Sequence, residues 1–72
     1  MSAHQANKVD PADALPKLAM SIREFCKQHM ISEDFFYSLQ RQGKGPRMMH
    51  VGARRLVSVE EAARWREANT VI

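Results

Sequence analysis

Apolar positions along this chain keep three successive rhythms, and each predicts an element. For a helix over residues 21–28 and the residue after it, Ile22, Phe25, Cys26 and His29 stand at i, i+3, i+4 and i+7, while Arg23, Glu24, Lys27 and Gln28 point away. That is one stripe of a helix. Ser21 and Glu24 hold the positions of a capping box, and Met20 and Phe25 those of a hydrophobic staple. A second capped helix follows at once: Ser32 precedes residues 33–42, with Ile31 and Phe36 as its staple pair. Turning about 100° per residue sets Phe35, Phe36 and Leu39 on one side. Asp34, Tyr37, Ser38 and Arg41 fall on the other. The few residues between the two helices match the connection of a helix-turn-helix, and Gly43 is placed to end the second helix.

The period then changes. Gly43-Lys44-Gly45-Pro46 reads as a loop. Residues 48–51 and 54–58 read as two short strands about Gly52-Ala53, a two-residue turn with glycine first, as type II′ requires. In that register Met49, Val51, Arg54 and Leu56 share one face, and Met48, His50, Arg55 and Val57 the other. Ser58 and Glu61 repeat the capping-box spacing, and Val59, Ala62, Ala63 and Trp65 give a last helix its apolar side. Upstream the pattern is thinner. Residues 1–7 are small and polar, Asp10-Pro11 can start one helical turn that Pro16 stops, and Leu18 and Met20 suit a short extended strand. The expected organisation is a flexible tail over residues 1–16 and one domain over 17–70. The expected fold is mostly α with a small β-hairpin, in the order helix, turn, helix, hairpin, helix. That is a winged helix-turn-helix outline. Phe25, Phe36, Leu39, Leu56 and Trp65 are its expected core, with Trp65 against the hairpin and the first helix.

Composition narrows the function. The 72 residues, 44 % hydrophobic and 26 % charged, suit one small folded domain. Net charge is only +3, but its placement is uneven. Lys8, Asp10, Asp13 and Lys17 cancel in the first twenty residues, whereas Arg41, Lys44, Arg47, Arg54 and Arg55 fall in one window without an acid. Concentrated positive charge beside an exposed helix face is the footprint of a nucleic-acid binder. With Cys26 the single cysteine, no internal disulfide can form, which points to a reducing compartment. No apolar run approaches the roughly 18 residues of a membrane span, and the N-terminus has no signal-peptide pattern. A cytoplasmic, nucleoid-associated protein without membrane contact is the expectation.

From about Met20 to Arg66, roughly two thirds of the chain, the sequence resembles the excisionase-like and AlpA-like small DNA-binding proteins, relatives of the N-terminal domain of MerR-type regulators. The shared pieces are SIREFC, ISEDFFYSLQRQG, GPR, VGARRLVS and EEAARW, in that order. The resemblance implies duplex DNA binding, with the second helix in the major groove and the wing on flanking backbone or minor groove. It also implies service to a phage, plasmid or integrated element, as transcriptional regulator or recombination directionality factor. The implied partners are double-stranded DNA and a recombinase or integrase, or a second copy on adjacent sites. His29-Met30 stands where the family often has a glycine. The long dimerisation helix and cysteine-rich sensor of full MerR regulators have no counterpart here, so no effector sensing is carried over.

The candidate DNA contacts are Glu33, Asp34, Tyr37, Ser38, Arg41 and Gln42 on the second helix, Lys44 and Arg47 in the loop, and His50, Arg54 and Arg55 on the hairpin. Arg41 can donate to guanine O6 and N7, Asp34 can accept from cytosine N4, and Tyr37 and Ser38 can bond phosphates or base edges. Glu33 and Asp34 disfavour a phosphate at the helix N-terminus, and also complement its dipole as on any solvated helix. Arg54 and Arg55 suit phosphates or a narrow minor groove, although charge also protects an edge strand from aggregation. A protein-interaction adaptor, binding an integrase or polymerase through Met48, Met49 and Phe35, is the alternative from another class. Cys26 and His29 offer only two ligands where zinc takes four, or three and water. No nucleophile, base and acid can be assembled, so neither a metal, a cofactor nor an enzyme is expected.

Overall fold

A computed structural model describes residues 15–71. The expected tail, apart from Leu15 and Pro16, and the turn at Asp10-Pro11 lie outside the described residues. The elements run β1 (Ala19–Ser21), α1 (Ile22–His29), α2 (Glu33–Arg41), β2 (Met49–Val51), β3 (Arg54–Ser58) and α3 (Val59–Asn69). The strands form one antiparallel sheet in the order β1-β3-β2. Three helices on a three-stranded sheet is a mixed α/β arrangement, and it is compatible with a winged helix. The expected hairpin is β2–β3, and the short strand expected around Leu18 and Met20 is β1, which joins it in the sheet. β3 is the central strand, two residues longer than β2, and β1 pairs on its other edge with its last three residues: Ala19 with Ser58, Met20 with Val57, Ser21 with Leu56.

The caps explain where the helices begin. Ser21 Oγ accepts from the Glu24 amide at 3.1 Å, and the Glu24 carboxylate accepts from the Ser21 amide at 3.0 Å, a closed capping box. Lys17 also pairs with that carboxylate. Its negative charge is favoured by the lysine first and the Ser21 amide next, which holds the Glu24 carboxyl below its ordinary value. Ser58 Oγ accepts from the Glu61 amide at 3.1 Å, but the Glu61 carboxylate is taken by Arg64. At α3 the expected box is therefore a simple cap.

Phe25 is the centre of the core. It is fully buried, stacks on His29 with ring centres 4.0 Å apart, and meets Phe36 and Trp65 edge-on at 5.6 and 5.3 Å. Each edge-to-face pair adds about 0.5–1.5 kcal/mol beyond burial. Met20, Cys26, Phe36, Val57 and Ala62 complete the core cluster, with Ile22, Ile31, Met48, Val59 and Trp65 packed around it.

Of the expected core, Leu39, Leu56 and Trp65 are only half-buried; Trp65 packs on the buried cluster, Leu39 and Leu56 do not, and the pleat explains Leu56. Side chains alternate across a sheet. Met20 and Val57, cross-strand partners, take the inner face, which leaves Leu56 outside with Met49. The α3 stripe is narrower than expected as well: Ala63 is exposed, and Val59, Ala62 and Trp65 carry the packing. Trp65 meets α1 as expected, but its polar edge meets the loop after α2 rather than the hairpin. Among the described residues no helix is long and apolar enough to cross a membrane.

Candidate nucleic-acid interface

The entry angle of α2 is set by the turn before it. Met30 adopts φ 60°, ψ 40°, the left-handed region, and is 91 % exposed. Its amide donates to the Lys27 carbonyl at 3.3 Å, and the Ile31 amide to the Cys26 carbonyl at 3.0 Å. This is a Schellman ending, in which two otherwise orphaned carbonyls are satisfied. Ser32 Oγ then accepts from the Phe35 amide at 3.1 Å and starts α2. The same ending recurs at the far end of α2. Gly43, at φ 72°, donates to the Gln40 carbonyl at 3.0 Å, and Lys44 to the Leu39 carbonyl at 2.8 Å.

Along α2, Glu33 and Asp34 are exposed in the first turn and Arg41 in the last. Tyr37 is partly open to solvent, its ring edge-on to Phe36 at 5.4 Å. Ser38 is half-buried, and its hydroxyl accepts from Gln42 Nε2 at 3.0 Å, so these two candidates bind each other. Phe35 is 51 % exposed and sits outside the core.

The loop after α2 is held from two sides. Trp65 Nε1 donates to the Lys44 carbonyl at 2.9 Å, and Gln40 Nε2 to the Pro46 carbonyl at 2.9 Å. Pro46 is buried, whereas Lys44 and Arg47 on either side are exposed. A Cβ on Gly45 would come within 2.5 Å of Gln40 Nε2, so glycine is what lets the amide reach across. Between this loop and α3 lies an open cleft of about 330 Å³. Lys44, Arg47 and Arg64 line it with Trp65 and Glu61; Arg41, Arg54 and Arg55 do not.

On the hairpin, Gly52 has φ 60° and Ala53 does not share a positive φ, the combination that type II′ needs. Val51 pairs with Arg54 and His50 with Arg55, so the two arginines project from opposite faces of the ribbon. His50, Arg54 and Arg55 are all exposed. Among the described residues the ion pairs are Lys17–Glu24 and Arg64–Glu61. Neither involves Arg41, Lys44, Arg47, Arg54 or Arg55.

Cys26 and His29 are both committed within the fold. The Cys26 thiol is buried, and burial, with Glu33 adding to it, pushes its pKa up. Both ring nitrogens of His29 are engaged, Nδ1 at 2.8 Å from the Phe25 carbonyl and Nε2 at 3.0 Å from Arg66 Nη1. A carbonyl only accepts, so the ring proton sits on Nδ1 and Nε2 accepts from the guanidinium.

Three residues at the site are absent from the expected contacts: Arg64, Gln40, and Trp65, which the sequence marks only as core. Only folding brings them to the loop.

The fold and its exposed basic stretch define a small three-helix, three-strand α/β protein. Comparison of the chain with protein-family models, with curated proteins and with solved structures gives no match.

Proposed function

We propose that this chain is a sequence-specific duplex DNA-binding module of the winged helix-turn-helix kind. Its role is that of an excisionase-like directionality factor or transcriptional regulator of a phage or other mobile element. In this reading α2 enters the major groove and the β2–β3 hairpin is the wing. The observation that carries it is electrostatic: five cations from the end of α2, the following loop and the hairpin are exposed and unpaired among the described residues. Exposed cations without intramolecular partners suit a polyanion. Arg41 supplies base readout from the outward side of α2, while Arg54 and Arg55 supply affinity. Because they leave the ribbon on opposite faces, one flanks the groove and the other meets backbone.

The experiment is a binding series on selected and scrambled duplexes at several salt concentrations. The parent should show a slope of log K against log[salt] on the order of −4 to −5. Arg41→Ala should lose about 1–3 kcal/mol on the selected site and less on scrambled DNA. The double change Arg54→Ala, Arg55→Ala should weaken both alike and reduce the slope by about 1–2. A slope near zero refutes the reading. It would favour a protein-interaction adaptor instead, for which the exposure of Phe35 and Met49 is the supporting observation. Met48 drops out of that surface because it packs on the core.

A further inference from the structure

We propose that the cleft between the basic loop and α3 is a phosphate-binding subsite, with Arg64 as its third cation. The inference rests on the DNA reading for its physiological ligand, and adds to the interface a helix outside the helix-turn-helix and the wing. Lys44 and Arg47 line the cleft on the loop side and Arg64 on the α3 side, with Glu61 as the single acid of the lining. Three cations against one acid leave a surplus of two positive charges in a space of about 330 Å³. That volume is near the lower end of small-ligand pockets, which run from about 300 to 1,000 Å³. It has room for a phosphate group and no need of a large ligand.

The cleft is also preorganised. Its loop wall is fixed by the Trp65 bond to the Lys44 carbonyl and the Gln40 bond to the Pro46 carbonyl. Little ordering is then required when an anion arrives. Trp65 has its only donor occupied, so it serves as an apolar wall and the cations alone recognise the ligand. Arg64, exposed and bound to Glu61, is the movable member. It exchanges one carboxylate for a phosphate, to which it can donate in a bidentate fashion. Glu61 keeps Arg64 over the cleft until then.

The shared ligand chemistry is a phosphate group, from the duplex backbone or as the ion. The test uses the full chain and two variants, Arg64→Ala and Glu61→Gln, with Arg23→Ala on α1 as the control. Circular dichroism checks folding; Glu61→Gln keeps the α3 cap, because Ser58 binds the Glu61 backbone amide. One arm measures duplex affinity against salt. With a slope of about −0.9 per neutralised phosphate, one lost contact removes about eightfold in affinity for each tenfold dilution of salt. Arg64→Ala should therefore fall about eightfold below the parent at 0.1 M salt and approach it near 1 M, with the slope reduced by about 1. Glu61→Gln should bind more tightly than the parent, and Arg23→Ala equally well. The other arm follows Trp65 emission as inorganic phosphate is added, with the change expected in the parent and absent in Arg64→Ala.

Equal duplex affinity and slope for Arg64→Ala and the parent, with no phosphate response, overturn the subsite and leave the DNA reading standing. An Arg64-dependent phosphate response in a protein without duplex affinity keeps the subsite, assigns it to the ion, and overturns the DNA reading. Weaker binding by Glu61→Gln also overturns the proposal, since the acid would then be contributing to the contact.

Discussion

Replacing Met30 by glycine should stabilise this protein, although it removes a large side chain from a small domain. A residue with a Cβ in the left-handed region loses roughly 1–2 kcal/mol to contact with its own carbonyl. Met30 bears that cost at φ 60°, ψ 40°, and at 91 % exposure its side chain has almost no packing to set against it. Glycine relieves the contact and returns about 0.5–1 kcal/mol of it through the greater freedom of the unfolded chain. Both Schellman hydrogen bonds use backbone atoms and survive the change. The net gain is on the order of 0.5–1 kcal/mol, the difference of those two terms. With a urea m-value of about 1 kcal/mol/M for so short a chain, the midpoint should rise by about 0.5–1 M. Met30→Ala, which keeps the Cβ, should stay within about 0.5 kcal/mol of the parent. Met30→Val should fall below it, because a β-branched residue is a steric outlier there. The order Gly, then Met and Ala, then Val is the signature. If Met30→Gly melted at or below the parent, the turn would not be strained and the exposed methionine would be contributing contacts.

Three further outcomes follow from the loop and the first cap. Gly45→Ala should cost about 1 kcal/mol by displacing Gln40 from the Pro46 carbonyl, and in a Gln40→Ala background most of that cost should vanish in urea melts. Trp65→Phe should lose about 1 kcal/mol with the Lys44 bond, and Trp65→Ala about 3–5 kcal/mol with the ring; equal losses would show that packing alone matters. The lowered pKa of Glu24 means that the folded chain takes up its proton less readily than the unfolded one. Its contribution is complete above the ordinary value of 4.5 and is lost as pH falls through the lowered one. Stability against pH should accordingly drop less steeply in acid for Glu24→Gln than for the parent, and parallel curves would refute the pairing.

What the sequence discloses here is what short-range chemistry decides. Ser21, Ser32 and Ser58 announce helix starts because a cap needs only a hydroxyl and an amide three residues on. Gly52 announces its turn because few other residues tolerate that φ. The left-handed turn at Met30 is hidden for the converse reason: the backbone there is set by α1 and α2 docking on Phe25 and Phe36, not by the residue itself. Leu56 misleads because a two-faced apolar strand has no inner side until something covers it. Phe25, Cys26, Phe36 and Ala62 from the three helices cover the Val57 face. The expected contacts on α2 could be placed from helical period alone, but Arg64 belongs to the cleft only through a tertiary approach between α3 and the loop. No local pattern encodes that approach.

The pairing of β1 with β3 has a consequence for how the chain folds. The β2–β3 hairpin closes between neighbours, Val51 and Arg54, whereas β1 must bring Ala19 to Ser58, thirty-nine positions away. Closing the longer loop costs about 2 kcal/mol more in chain entropy than closing the hairpin. The hairpin and the α1–α2 pair can therefore form as local units, and β1 zips onto β3 late. Ser21 and Ser58 lie toward opposite ends of that short ladder, and each opens a helix. The late step is thus a latch between the first and last helices, added to the Phe25–Trp65 ring contact and the Arg66–His29 hydrogen bond that already join them.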